Sequence, residues 1–87
     1  MADIRVKRAN VVGGKIERLV VEMDGLPDRT IDRGTALAWL ADGHSLVPVL
    51  GGERLAALQR VEIGDAFAIR TDNAPIDEDT LPPLPPA

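Results

Sequence analysis

The chain has no cysteine and no tyrosine, and it contains a single tryptophan, phenylalanine and histidine. Without cysteine it can form no disulfide, no thiolate zinc site and no cysteine nucleophile. Modules that bind single-stranded nucleic acid stack bases on aromatic side chains, and aromatic residues make up only 2% of this sequence. The net charge of −4 also repels a phosphate backbone. These absences argue against nucleic acid as the main partner.

Long apolar runs are missing as well. None approaches the roughly 20 residues that a membrane span needs, so no membrane partner is expected. The N-terminal sequence Met-Ala-Asp-Ile-Arg-Val lacks the apolar core of a signal peptide, which predicts a cytoplasmic location. The 87 residues suffice for one small globular domain. Because such a domain buries only roughly 60% of its chain surface, a homodimer would help to stabilise it.

Alternation of apolar and charged residues predicts two N-terminal strands. Ile4 and Val6 alternate with Arg5 and Lys7, which is the period of a half-buried strand. A second strand is expected over residues 15–23, after a glycine pair at positions 13 and 14 that marks a turn. The two strands therefore form a hairpin with a loose loop.

Helix signals follow a turn cluster at residues 24–28. Asp32 is a good N-cap, apolar residues then recur at helical spacing, and Gly43 suits the left-handed residue that closes a helix. The spacing predicts a short helix over residues 33–42. A third strand is expected at 45–50, where Pro48 requires a sheet edge or a bulge.

The last strands are predicted as a hairpin over residues 58–63 and 66–71. Gly64 and Asp65 form a two-residue loop with glycine first, which is typical of a type II′ turn. Residues 53–59 fit a strand or a helical turn, and the pattern leaves that choice open. The resulting order is ββαβββ. It predicts an α+β domain at residues 1–73, with one short helix packed on a strongly bent antiparallel sheet.

The remaining segment, 74–87, is predicted to be an extended tail. An acidic run at 77–79 favours a solvated spacer over a calcium site, because it lacks the ligand alternation of an EF-hand loop. The Leu/Pro-rich end can be neither helix nor central strand. In a polyproline helix of three residues per turn, Leu81 and Leu84 fall on one face. That face either plugs a groove on this domain or on a second copy, or it is offered to a partner.

No residue set predicts catalysis, a metal site or a cofactor. His44, the single histidine, has no nucleophile and orienting acid arranged around it in the sequence, so a structural role near the helix end is favoured. The two glycine pairs lack any phosphate-loop context. We therefore expect no catalytic residue, no metal, no cofactor and no small-molecule substrate, and we do not expect an enzyme.

Four short motifs are spread over almost the whole chain. They are Gly14-Lys15-Ile16, a helix ending in glycine at Gly43, a strand ending in Arg70-Thr71-Asp72, and the closing Leu81-Pro82-Pro83-Leu84-Pro85. In their order and spacing they make the chain similar to a small bacterial family of short single-domain proteins whose function is not established. Family members often carry an aromatic residue where Ala68 and Ile69 stand, and an asparagine where Thr80 stands. The resemblance implies a fold and no activity.

Three functional hypotheses follow. The leading one is a protein-interaction or adaptor module that binds a protein partner or a second copy of itself. Its predicted contact residues are Arg70, Asp72, Leu81, Pro82, Leu84 and Pro85. For Arg70 the favoured alternative is a structural one, in which it pairs with Asp72 or with the acidic tail and pins the exit of the chain. The first alternative is an acidic inhibitor of a nucleic-acid-handling protein. The second alternative is nucleic-acid binding through the basic N-terminal hairpin, since cations are concentrated in the first twenty residues.

Overall fold

The computed structural model describes residues 3–87. Met1 and Ala2, the first residues of the segment considered above for a signal peptide, lie outside the described residues. Seven strands and one helix form within the described part of the chain. In chain order they are β1 (Asp3–Val12), β2 (Lys15–Glu22), β3 (Arg29–Asp32), α1 (Arg33–Ala41), β4 (Ser45–Leu50), β5 (Glu53–Arg54), β6 (Gln59–Ile63) and β7 (Ala66–Arg70).

The strands form a five-stranded sheet in the order β3-β2-β1-β4-β5 and a separate hairpin of β6 and β7. With one helix packed on this arrangement, the predicted α+β class is confirmed. The large sheet is mixed, because β4 pairs with β1 in parallel while β1, β2 and β3 pair antiparallel. The parallel pairing arises because the chain crosses over through β3 and α1 before it returns beside β1.

Strand β3 is an element that the sequence pattern did not predict. It pairs with β2 so that Ile31 lies opposite Leu19, and Ile31 is the only one of its four residues that is buried. A strand with one buried apolar residue has no alternation to detect, so only its pairing with β2 defines it. The open choice at residues 53–59 is settled likewise: residues 53 and 54 form the short β5, residues 55–58 are irregular, and Gln59 begins β6.

Local signals located the helix correctly. The Asp32 Oδ1 atom accepts a hydrogen bond from the Thr35 amide at 2.7 Å, which is the expected N-cap. Gly43 has a φ of 91° and ends the helix in the left-handed conformation. At nine residues, α1 falls well short of the length and apolar content of a membrane-spanning helix, and residues 3–87 contain no other helix.

Pro48 lies in the strand next to the sheet edge. The carbonyls of Leu46 and Pro48 accept hydrogen bonds from the amides of Leu58 and Leu55, both at 2.8 Å, on the side of β4 away from β1. In a strand, the amide and the carbonyl of one residue point to the same side. The amide that Pro48 lacks would therefore also have faced this outer side. Its absence therefore costs the β1–β4 ladder nothing.

One face of the large sheet carries the hydrophobic core. Helix α1 contributes the fully buried Ala36 to this core, and β7 contributes Ile69. Leu81 and Leu84 of the tail pack against the same cluster. The sheet residues of the core are Ile4, Val6, Ala9, Ile16, Leu19, Val21, Ile31 and Leu46. The helix, the small hairpin and the tail together cover this face.

Candidate functional site

The C-terminal tail lies along its own domain. The amide of Asp79 donates to the Gly14 carbonyl, and the amide of Thr80 donates to the Ile69 carbonyl, both at 3.0 Å. Nearer the end, the Ala9 amide donates to the Pro85 carbonyl at 3.0 Å. The Cα radius of gyration is 12.0 Å, and a compact chain of this length is expected to have about 12 Å. The tail is thus folded back onto the domain.

Asp79 is the centre of this attachment. Its side chain is 1% exposed, and its carboxylate accepts hydrogen bonds from the amides of Ile16 at 2.7 Å and Ile69 at 2.9 Å. The same carboxylate forms an ion pair with Arg33 at the start of α1. A buried charge is tolerated only when it is paired and hydrogen-bonded, and this carboxylate is both. Asp79 therefore joins β2, β7 and the helix at one point.

The acidic run was predicted to be a solvated spacer, and for Asp79 that prediction is wrong. Asp77 and Glu78 are exposed as expected, although Asp77 forms an ion pair with Lys15. Asp79, the third acid of the run, lies where two strand amides and a guanidinium come together. Composition could not show this, because the convergence exists only once β2 and β7 are side by side.

Residues of the tail and helix also cover the outer edge of β7. Arg33 Nη2 donates to the Phe67 carbonyl at 2.6 Å. The Thr71 amide, just beyond β7, donates to Thr80 Oγ1 at 2.9 Å. Together with the two bonds at Ile69, these contacts satisfy the backbone groups that an edge strand would otherwise expose. The tail thus takes the place of a further strand beside β7.

Arg70 and Asp72, two of the predicted partner-binding residues, bind each other. Arg70 Nε and Nη2 donate to the two Asp72 carboxylate oxygens at 2.6 and 3.2 Å, and Nη1 donates to the Glu78 carbonyl at 2.6 Å. The Arg70 bond and the Ala74 amide hold the pKa of Asp72 below its ordinary value of 3.8. Arg70 is only 6% exposed. Its guanidinium therefore holds the exit of the tail.

The Leu/Pro segment presents two different faces. Leu81 and Leu84 are half-buried and both pack on the core. They therefore lie on one face of the tail, as their three-residue spacing predicted. Pro82 is half-buried, whereas Pro83 and Pro85 are exposed. Between this segment and the end of β1 lies an open groove of 390 Å³. It is lined by Ala9, Asn10, Val11, Leu81, Pro82, Pro83, Leu84 and Pro86.

Sequence reasoning missed Arg33 and Asn10. Asn10 Oδ1 accepts from the Ala87 amide at 3.0 Å and so holds the end of the tail. Arg33 carried a usable signal, because a cation in the first turn of a helix opposes the helix dipole and calls for an acidic partner. Nothing in the sequence indicates that this partner is Asp79, which lies 46 residues away.

Four of the five cations of the N-terminal hairpin are paired with acids, and the fifth, Arg8, donates to the Pro86 carbonyl at 3.4 Å. Lys7 lies 3.0 Å from Asp28, and this hydrogen bond raises the pKa of Lys7. Arg5 reaches Glu22 at 3.0 Å, and Lys15 pairs with Asp77 of the tail. The basic cluster seen in the sequence is therefore interleaved with carboxylates in the folded chain.

His44 occupies the structural position favoured above. Its backbone amide donates to the Trp39 carbonyl at 3.0 Å, and its ring meets the Trp39 indole edge-on with centroids 6.4 Å apart. Among residues 3–87, no group of three or more His, Cys, Asp or Glu side chains is arranged to hold a metal ion.

Comparison with protein-family models, with curated proteins and with solved structures finds no match to this chain. The resemblance to the small bacterial family therefore stays a prediction.

Proposed function

We propose that this chain is a cytoplasmic, non-enzymatic adaptor that presents its C-terminal tail to a protein partner as an already folded surface. The surface is the tail groove, defined as the groove between residues 81–86 and the end of β1. The observation that carries the proposal is the division of the tail into two faces. Leu81 and Leu84 anchor it to the core, while Pro83 and Pro85 face solvent.

Preorganisation is the first support. A free proline-rich tail would lose conformational entropy on binding, whereas a segment already fixed by hydrogen bonds avoids most of that cost. Two points of the tail are fixed in this way: the Pro85 carbonyl accepts from the Ala9 amide, and the Ala87 amide donates to Asn10 Oδ1. The partner would therefore meet an ordered proline-rich surface.

Exposed apolar residues beside the groove are the second support. Val11 at the end of β1 lines the groove and is 50% exposed, and Pro83 and Pro86, which also line it, are exposed. An apolar partner side chain that enters the groove would remove these surfaces from water at roughly 25 cal/mol per Å².

The chemistry of the surface favours a partner other than a second copy. Proline faces are read by aromatic side chains. This chain has only Trp39 and Phe67, and both carry a guanidinium over the ring, at 5.6 Å for Arg29 and 4.4 Å for Arg60. We therefore assign an aromatic-bearing protein to the groove. Arg70 and Asp72 act indirectly in this proposal, because they position the tail and do not contact the partner.

The test compares two double variants with equal changes in charge. Val11→Glu with Pro83→Glu alters the tail groove, and Leu26→Glu with Leu50→Glu alters exposed apolar positions that do not line it. Each folded variant would be used for affinity capture from nuclease-treated host lysate. A protein held by the wild type and by the control, but lost from the groove variant, supports the proposal. Capture that is equal in all three, or no capture by the wild type, contradicts it.

The two alternative functions predict a different dependence of binding on salt from the one that the adaptor predicts. Both an acidic inhibitor and a basic nucleic-acid module would bind through charge, so their affinities should fall steeply as salt rises. The apolar groove contact should barely respond. The pairing of Arg5, Lys7 and Lys15 with carboxylates favours the adaptor over the nucleic-acid module.

A further inference from the structure

Strand β6 is the longest open sheet edge in the described part of the chain. The edge strands of the large sheet are β3, with four residues, and β5, with two. In the small hairpin, the tail and Arg33 cover the outer edge of β7. Strand β6 has five residues, and within residues 3–87 it has no backbone hydrogen bonds on the side away from β7. An open edge of this length is a template for another strand.

The turn determines which backbone groups of β6 face outward. Ile63 and Ala66 flank a two-residue turn and form a hydrogen-bonded pair, and hydrogen-bonded pairs alternate with the other kind along the hairpin. Arg60 and Glu62 therefore direct their amides and carbonyls away from β7. Their partners in β7, Ile69 and Phe67, confirm the alternation. The Ile69 amide and the Phe67 carbonyl point away from β6, where they bind Asp79 of the tail and Arg33.

The two outward residues carry opposite charges on one face of the strand. Arg60 and Glu62 are both exposed, and neither has an ion-pair partner among the described residues. The Arg60 guanidinium lies over the Phe67 ring, 4.4 Å from its centroid, which keeps it on this face of the hairpin. The edge of one copy is thus complementary in charge to the same edge of a second copy that runs in the opposite direction.

We propose that β6 pairs antiparallel with β6 of a second copy, about a two-fold axis at Val61. In this register, the outward amides and carbonyls of Arg60 and Glu62 meet those of Glu62 and Arg60 in the second copy. Four backbone hydrogen bonds form and two Arg–Glu pairs face each other. A slip of two residues in either direction would place Arg60 opposite Arg60 or Glu62 opposite Glu62, so charge selects the register.

The other face of the strand fits the same arrangement. Val61 and Ile63 are half-buried in the single chain. Across the axis Val61 meets Val61 of the second copy, a β-branched pair that packs well on a pleated surface. The product is a four-stranded sheet in the order β7-β6-β6-β7. It is symmetric and closed, like most interfaces between identical chains, and it uses none of the residues that line the tail groove.

Charge reversal with rescue tests the pairing. Arg60→Glu and Glu62→Arg each place like charges opposite one another, whereas the double variant restores opposite charges in the same register. The control Glu53→Arg makes the same change of charge as Glu62→Arg at an exposed residue outside β6. Mass would be measured by sedimentation equilibrium over a range of concentrations, with folding verified by circular dichroism.

We expect the wild type, the control and the double variant to form dimers of twice 9.3 kDa. Each single variant should weaken the dimer roughly tenfold or more. A wild type that remains a monomer at every concentration overturns the proposal. So does a dimer that both single variants leave unchanged, and so does a folded double variant that fails to regain the affinity.

Discussion

The carboxylate of Asp79 accepts a hydrogen bond from the backbone amide of Ile16 at 2.7 Å, across 63 positions of sequence. Its other oxygen accepts from Ile69 in the separate hairpin at 2.9 Å. One tail side chain therefore links the two sheets through their backbones. The tail belongs to the folded unit, and the adaptor proposal depends on this, since the groove exists only while the tail is held.

Asp79→Asn should strongly destabilise the fold. An amide can offer one acceptor oxygen, so one strand amide would lose its partner and the ion pair with Arg33 would be lost. Breaking a buried ion pair typically costs about 3 kcal/mol or more, and a domain of this kind has about 5–15 kcal/mol of total stability. Urea unfolding would measure the change in the free energy of unfolding.

Asp77→Asn is the matched control, because Asp77 is two residues away in the same run and its side chain is 54% exposed. Its effect should stay below about 1 kcal/mol. Hydrogen exchange would locate the damage, with the amides of Ile16 and Ile69 losing more protection than that of Val21. Equal effects of the two substitutions would show that Asp79 does not join the sheets.

Leu81→Asp combined with Leu84→Asp should destabilise the chain by about 2 kcal/mol or more, because both leucines pack on the core and full burial of one leucine contributes about 1.5–3 kcal/mol. Pro83→Asp combined with Pro86→Asp makes the same change in charge on the exposed face and should leave stability unchanged. Thermal unfolding of both would check this. If the outer pair were the more damaging, the tail would lie the other way round.

Stability should fall on acidification below about pH 4. The pKa of Asp72 is lowered from 3.8 in the folded chain by Arg70 and the Ala74 amide, so between the two pKa values the unfolded chain binds more protons. The stabilisation is therefore complete above the unfolded pKa and is lost as pH falls through the folded one. The pKa values of Asp3 and Asp32 are lowered too, by the Arg54 hydrogen bond and by the Thr35 amide.

Urea titrations between about pH 2.5 and 6 would measure this dependence. In Asp72→Asn the free energy of unfolding should change less steeply with pH below about pH 4 than in the wild type. The part of the pH dependence that comes from Asp3 and Asp32 should remain. An unchanged slope in that variant would show that the Arg70 contact does not stabilise the folded state.

Signals within a few residues predicted much of the fold. Asp32 caps the helix and Gly43 ends it, because each acts on backbone groups of its own turn. Gly64 has a φ of 58°, as a type II′ turn requires at its first central position. Asp65 is negative in φ, since only glycines among the described residues have positive values.

Contacts between distant segments were outside the reach of those signals. The parallel pairing of β4 with β1 and the addition of β3 depend on which strands become neighbours. The predicted partner residues show the same limit. The period of the leucines was readable from the tail alone, but that the leucines face their own core was not.

The sequence by itself determined the two hairpins, β4, the turns, the helix and its caps, because these follow from dihedral preferences and from apolar periodicity along the chain. Only the tertiary structure decided the use of Asp79 and Arg33. A charged side chain is read from sequence as solvated, and it becomes a structural element only where folding brings an opposite charge and unpaired backbone amides around it. That is why the segment which looked most like a free tail is attached most firmly at its acidic residue.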